Sequence, residues 1–162
     1  MILNSVTGYT DAAQGPFLVT KHFLPALGKA PLAKVINISS DYGSIAGIEI
    51  CNPSYSCMQM QLTRLRPDNT GGNASYRISK AAVNQLTKTV AEDIGKLGNM
   101  NVRTLAVHPG YVATKMTGFY GEDDMETCMP SLVDLIERFG TEGGREIPTG
   151  AYVKWNGERM LY

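Results

Sequence analysis

The sequence predicts an α/β fold in which three parallel strands are flanked by helices. Three short apolar segments rich in β-branched or aromatic residues, at 33–40, 101–108 and 150–155, have the length of buried strands. Between the first two lies a longer segment, 74–97, whose apolar residues recur at helical spacing. Strands that alternate with helices are typical of parallel sheets. At 162 residues the chain has the size of one domain, and we expect 1–162 to form a single domain.

The first predicted helix begins at Pro16, because proline is favoured at the first helical position. It is expected to end near Leu27, shortly after a second proline. Residues 1–14 have no clear pattern. The strand at 33–40 ends in two serines, whose side chains should point to opposite faces of the sheet. Hydroxyls at the carboxyl end of a parallel strand lie where open sheets bind their ligands.

A long polar segment at 41–73 is expected to be mostly loop, with one helical turn near residues 58–65. A loop of this length in a compact domain is usually functional or mobile. The helix predicted next, at 74–97, has an apolar stripe made by Ala81, Val83, Leu86, Val90, Ile94 and Leu97.

The second strand is followed by a Pro-Gly turn, and residues 115–130 then have an irregular, acidic pattern. The acidic run Glu122–Glu126 is expected to be a solvated loop. Ser131 is expected to cap a short helix that ends at Gly140, because serine favours helix starts and glycine favours helix ends.

Tyr76 and Lys80 lie four residues apart on the predicted helix and therefore on the same face. An ammonium close to a phenol favours the phenolate, which lets a tyrosine exchange a proton nearer neutral pH. On spacing alone, such a pair is usually an amphipathic aromatic beside a solvated charge. The surrounding order favours the catalytic interpretation. A strand that ends in Ser40 precedes the pair, and a strand followed by Pro-Gly and Thr114 comes after it.

This order of strand-end serine, Tyr-x-x-x-Lys pair and Pro-Gly-x-Val-x-Thr turn resembles the short-chain dehydrogenase/reductase family. The last strand, Gly150–Gly157, resembles that of the C-factor-like branch. The resemblance extends from Gly15 to Tyr162 and implies the C-terminal portion of a Rossmann-type, doubly wound parallel sheet. It also implies an oxidoreductase that transfers hydride between NAD(P)(H) and a small carbonyl or alcohol substrate.

The resemblance also assigns roles to residues. Ser40, rather than the neighbouring Ser39, would hydrogen-bond the substrate carbonyl, and Tyr76 would be the acid/base. Lys80 would assist Tyr76 and hydrogen-bond the nicotinamide ribose. Ala12 stands where the family usually has an asparagine, which leaves the proton relay incomplete or routed through other groups. The remaining cofactor-binding positions are Pro109, Gly110, Val112 and Thr114, with an ordinary Pro-Gly turn after a strand as the alternative.

The sequence lacks the glycine-rich turn that would hold a pyrophosphate and the acidic residue that would bind an adenosine ribose. Neither Gly43–Gly47 nor Thr70–Asn73 has the required glycine spacing and position. We therefore expect an N-terminally truncated member of the family. A non-catalytic remnant or partner-binding fragment is the alternative. NADP is the first choice of cofactor and NAD the second, although no residue present distinguishes them.

Composition argues against several classes of partner. The net charge is zero with 19% charged residues, so no basic excess points to nucleic acid or to an anionic membrane. No apolar run has the length of a membrane span, and the first residues do not resemble a signal peptide. Three cysteines without an export signal favour free thiols in a reducing compartment, and we expect a cytoplasmic protein.

His108 is expected to be partly buried, with a backbone partner. Because His22 is the only other histidine and no cysteine or carboxylate lies at ligand spacing, no metal site is expected. No Gly-x-Ser-x-Gly nucleophile elbow occurs, which argues against a Ser-His-Asp hydrolase.

If the three strands are parallel neighbours, the strand around Val35–Ile38 lies at an edge of the sheet. Its unpaired backbone groups could then pair with another chain. We therefore expect the isolated chain to be unstable, to aggregate, or to form a homo-oligomer that covers this edge.

Overall fold

The computed structural model describes residues 7–47, 74–98, 101–144 and 146–162. Its sheet has three parallel strands in the order β1-β2-β3, which confirms the predicted α/β class. The strands are β1 (Ala33–Ile38), β2 (Val102–His108) and β3 (Ala151–Lys154). The helices are α1 (Thr7–Leu27), α2 (Ala74–Lys96) and α3 (Met125–Arg138).

The sheet is covered on both faces, as a doubly wound fold requires. Leu105 and Val107 of β2 pack with α3 residues such as Leu135 in one apolar cluster. Val102 belongs to a second cluster with Ile94 of α2, on the face where α1 and α2 lie. Because successive side chains of a strand point to opposite faces, β2 supplies both clusters from one short segment.

α1 begins earlier than predicted and ends where predicted, at Leu27. Pro16 lies inside the helix instead of at its start. A proline removes one backbone donor but tolerates helical φ, so it did not mark the boundary. Ala12 lies in α1, whose side chains are described from residue 13 onward. The helical turn expected at 58–65 lies outside the described residues.

α3 also begins earlier than predicted, at Met125, and Ser131 is not its cap. Asp124 is the N-cap: its carboxylate accepts from the Thr127 amide at 3.0 Å and from the Thr127 hydroxyl at 2.7 Å. Ser131 lies inside the helix and donates to the Thr127 carbonyl at 2.9 Å. The error arose because an aspartate within an acidic run was interpreted as a solvated charge.

The face of α2 that meets the sheet is more polar than its apolar stripe suggested. Asn37 of β1 donates from Nδ2 to Thr87 Oγ1 at 2.8 Å, and Thr104 of β2 donates to the Thr87 carbonyl at 3.1 Å. Leu97, by contrast, lies beyond the end of the helix and is 67% exposed. Hydrogen bonds therefore help to hold α2 on the sheet beside apolar contacts.

No helix in the described part of the chain is long and apolar enough to cross a membrane. Cys128 is a free, buried thiol, whereas Cys51 and Cys57 lie outside the described residues.

Candidate active site

A cavity of about 360 Å³ opens at the carboxyl ends of β1 and β2. It contains two of the three predicted catalytic residues, Ser40 and Tyr76, and the first two residues of the Pro-Gly turn. Lys80, Val112 and Thr114 lie outside its lining. The cavity is lined by Ser39, Ser40, Asp41, Tyr42, Tyr76, His108, Pro109, Gly110, Tyr111, Met116 and Thr117.

The two serines after β1 have different partners. Ser39 is 2% exposed and its hydroxyl donates to Asn84 Oδ1 of α2 at 2.5 Å. The Ser40 hydroxyl donates to Asp41 Oδ1 at 2.8 Å. The Ser40 backbone carbonyl accepts from the buried hydroxyl of Tyr152 in β3 at 2.6 Å. The Ser39 side chain is thus bound to α2, whereas the Ser40 backbone is bound to β3.

The short 3₁₀ turn Asp41–Gly43 approaches α2 closely. A Cβ on Gly43 would lie 2.8 Å from Asn84 Nδ2 and 2.8 Å from the backbone carbon of Lys80. Such distances exclude a side chain unless the backbone moves. Glycine at this position therefore lets the turn place Asp41 and Tyr42 beside the cavity.

Tyr76 and Lys80 do lie on the same side of α2. Lys80 Nζ is 5.6 Å from the centroid of the Tyr76 ring. It donates to the Ile38 carbonyl of β1 at 2.8 Å, and burial lowers the pKa of this ammonium. Tyr76 is 37% exposed and its ring contacts that of Tyr42 edge-on, with centroids 5.9 Å apart. The Arg77 guanidinium stacks on the Tyr42 ring, with its Cζ 4.1 Å from the ring centroid.

The turn after β2 depends on Gly110, which has φ 100°. A Cβ there would lie 3.1 Å from both Asp123 Oδ2 and Trp155 Cδ1, so both conformation and space favour glycine. Further along, the Val112 carbonyl accepts from Thr117 Oγ1 at 3.1 Å. Thr114 Oγ1 is buried and has no hydrogen-bond partner within the described ranges.

Asp123 corrects the prediction that the acidic run Glu122–Glu126 is a solvated loop. Its carboxylate accepts from the Tyr111 amide at 2.7 Å and from Trp155 Nε1 at 3.3 Å, and lies 3.5 Å from Lys154 Nζ. Burial alone would raise the pKa of Asp123, but these donors and the ammonium outweigh burial and lower it. Asp123 therefore ties the turn after β2 to the end of β3.

The cavity residues to which the sequence assigned no role in the reaction include Asp41, Tyr42 and His108. His108 is buried, as expected, but its Nδ1 has no hydrogen-bond partner among the described residues, so the expected backbone partner is absent at that atom. Nδ1 lies 4.0 Å from Asp41 Oδ1. Its place directly before the Pro-Gly turn was a signal that could have put it at the cavity.

The described residues contain no cluster of three or more His, Cys, Asp or Glu side chains that could hold a metal ion.

The chain resembles known proteins in both sequence and structure. The family model for short chain dehydrogenases matches residues 68–125. The C-signal protein of Myxococcus xanthus is 31% identical over 110 residues, which cover 68% of this chain and 52% of that protein. The carbonyl reductase Sniffer of D. melanogaster matches with a TM-score of 0.69 and 25% identity, over 95% of this chain and 55% of that one.

A second solved structure, the NADPH-bound carbonyl reductase from chicken fatty liver, matches with a TM-score of 0.63 and 26% identity, again over 95% of this chain and 55% of that one. The chain thus spans about half the length of these relatives. The matched segment contains the Tyr76 and Lys80 pair and the turn from Pro109 to Thr114. The chain belongs to the short-chain dehydrogenase/reductase family.

Proposed function

We propose that this protein is an NAD(P)-dependent oxidoreductase that interconverts a carbonyl compound and its alcohol, with Tyr76 as the acid/base. The observation that carries the proposal is that Ser40 and Tyr76 line one cavity, with the Lys80 ammonium 5.6 Å from the tyrosine ring. The likeness to two carbonyl reductases, one of them bound to NADPH, supports this reaction class.

The nicotinamide end of the cofactor fits the residues present. The bound cofactor would supply or accept the hydride at the substrate carbon. Thr114 Oγ1, a buried hydroxyl with no partner in the described chain, suits the carboxamide, and Pro109 and Gly110 line the cavity beside it. An ammonium has three donors, and among the described residues Lys80 uses one on Ile38, so its other donors suit ribose hydroxyls. We propose NADP or NAD as the cofactor.

In the reduction, the chain itself handles the substrate oxygen. The Ser40 hydroxyl hydrogen-bonds the carbonyl oxygen and orients it. As hydride reaches the carbonyl carbon, Tyr76 donates its phenolic proton to that oxygen, so that the product is the neutral alcohol. The nearby Lys80 ammonium favours the phenolate that remains. In the reverse direction, Tyr76 accepts the proton from the alcohol.

The cavity suits a small substrate with an apolar body. Its walls include the side chains of Tyr42, Tyr111 and Met116, and its volume of about 360 Å³ is at the lower end of ligand sites. We therefore propose small apolar ketones or aldehydes, and the corresponding alcohols, as the substrate class.

The test is transfer of label from NADPH that carries deuterium at both C4 positions. Because the sequence has no glycine-rich turn for the pyrophosphate, the cofactor is used at millimolar concentration. We expect mass spectrometry to find one deuterium on the carbinol carbon of the alcohol product, formed from a panel of small ketones and aldehydes.

Two serine variants control this experiment. Ser40→Ala should lose most of the label transfer, whereas Ser131→Ala, at an α3 position outside the cavity lining, should retain it. Absence of label transfer by the unmodified chain with every carbonyl compound would contradict the proposal and favour a non-catalytic, partner-binding protein.

A further inference from the structure

The hydrogen bonds of Ser40 leave its hydroxyl without a free proton. A serine hydroxyl has one hydrogen, and Ser40 donates it to Asp41 Oδ1 at 2.8 Å. The Tyr42 amide points at both groups, at 2.9 Å from Asp41 Oδ1 and 3.3 Å from Ser40 Oγ. A carbonyl oxygen can only accept a hydrogen bond. In this arrangement Ser40 therefore cannot donate to a substrate carbonyl until Asp41 releases it.

His108 lies where it could compete for the same carboxylate. Its ring is 6% exposed, lines the cavity, and has Nδ1 4.0 Å from Asp41 Oδ1. Nδ1 has no other hydrogen-bond partner within the described residues. A buried polar atom without a partner is unusual and costly. Protonation would turn this atom into a charged donor facing the carboxylate that now holds the Ser40 proton.

We propose that His108 is a positioning residue for the reduction: once protonated, its ring takes the Asp41 carboxylate as partner and frees the Ser40 hydroxyl proton for the substrate carbonyl oxygen. With His108 neutral, Asp41 retains that proton and Ser40 acts only as an acceptor. The kinetic consequence rests on the proposed function, whereas the competition between His108 and Ser40 for Asp41 does not.

The charges around His108 set the pH at which Asp41 changes its partner from Ser40 to His108. Burial lowers the pKa of His108, while Asp41 in the turn after β1 and Asp123 before α3 raise it, and Lys154 of β3 lowers it. The net effect is a pKa below the usual value for histidine. The lowered pKa favours the neutral ring, and the release of Ser40 should set in only at a pH below the ordinary titration range of histidine.

The competition can be measured without substrate or cofactor, by NMR titration of the two histidine rings. Two competing partners of one carboxylate must affect each other reciprocally. Ser40→Ala removes one competitor, so His108 should protonate at a pH higher by roughly half a unit or more. Asp41→Asn removes the charge, so His108 should protonate at a pH lower by roughly one unit.

Three controls separate this coupling from general disturbance. His22, exposed on α1, serves as the internal reference in every variant, and His22→Gln assigns the two resonances. Ser44→Ala changes another buried serine of the same segment, whose hydroxyl accepts from the Gly47 amide, and should leave His108 unchanged.

The kinetic consequence has a separate readout. Between pH 7 and the His108 midpoint, kcat/KM for carbonyl reduction should rise roughly 3- to 10-fold, the range of one net hydrogen bond. The rise should be absent in Asp41→Asn, which rules out the ordinary pH dependence of Tyr76 as its cause.

The outcomes distinguish the two claims. Equal His108 midpoints in the unmodified chain and Ser40→Ala would overturn the inference, as would a His108 that stays neutral until acid unfolding. An active enzyme with the same pH profile in Asp41→Asn would overturn it as well. Coupled titration without any carbonyl reduction would instead contradict the proposed function and leave the competition for Asp41 standing.

Discussion

At the scale of single residues, Tyr152 shows how a core side chain positions the site. It is 1% exposed and burial raises its pKa, so it remains a neutral donor to the Ser40 carbonyl. Tyr152→Phe would keep the packing but remove one of the two donors to that carbonyl, leaving the Gly43 amide at 2.8 Å as the other. We expect the free energy of unfolding to fall by about 0.5–1.5 kcal/mol in urea titrations.

The matched control for this change is Tyr120→Phe, because Tyr120 is 65% exposed and lies outside the cavity lining. It should leave stability unchanged. If Tyr152→Phe were equally neutral, the hydrogen bond to Ser40 would contribute nothing to the fold.

Also at this scale, sequence predicted only part of the candidate site. Tyr76 and Ser40 could be placed because each belongs to a local pattern, a helical spacing or a strand end. Asp41 and Tyr42 could not, because their positions depend on the close approach of their turn to α2 at Gly43. That contact joins segments about 40 residues apart and leaves no periodic signal in the sequence.

At the scale of elements, α2 was predictable almost to its end residues, whereas α3 was not. The apolar spacing of α2 is regular, and its end at Lys96 is close to the predicted one. α3 contains Pro130 and begins within an acidic run, two features that normally indicate a break or a loop. The polar layer of Asn37, Thr87 and Thr104 was also missed, because pattern analysis counts only apolar positions as core.

The start of α3 gives a direct test. Asp124→Ala removes the cap acceptor from the Thr127 amide, so we expect a lower urea midpoint with an unchanged m-value. Ser131→Ala, at the cap position expected from sequence, removes only a bond to a carbonyl inside the helix and should have a smaller effect. If Ser131→Ala lowered the urea midpoint more than Asp124→Ala, the helix would instead start at Ser131.

At the scale of the whole molecule, β1 lies at an edge of the described sheet, as expected if the three strands were parallel neighbours. The amides of Ala33 and Ser39 donate to Asn101 and Val107 on the β2 side. Because alternate amides of a strand point the same way, those of Ile36 and Ile38 face away from β2. Oligomerisation through this edge remains a prediction.

Hydrogen exchange tests it. In dilute protein, the amides at 35 and 37 should be protected, whereas those at 34, 36 and 38 should exchange faster. If two copies pair through β1, protection at 34, 36 and 38 should appear as concentration rises. Protection there that does not depend on concentration would mean that another part of the same chain covers β1.

The central claim is that Tyr76 supplies the proton in carbonyl reduction. The most direct measurement is kcat/KM for reduction of a small ketone by NADPH in Tyr76→Phe, beside Tyr120→Phe. Loss of the phenolic proton should lower kcat/KM by roughly 10²-fold or more, with the circular dichroism spectrum unchanged, while Tyr120→Phe should match the unmodified chain. A Tyr76→Phe variant as active as the unmodified chain would contradict the account.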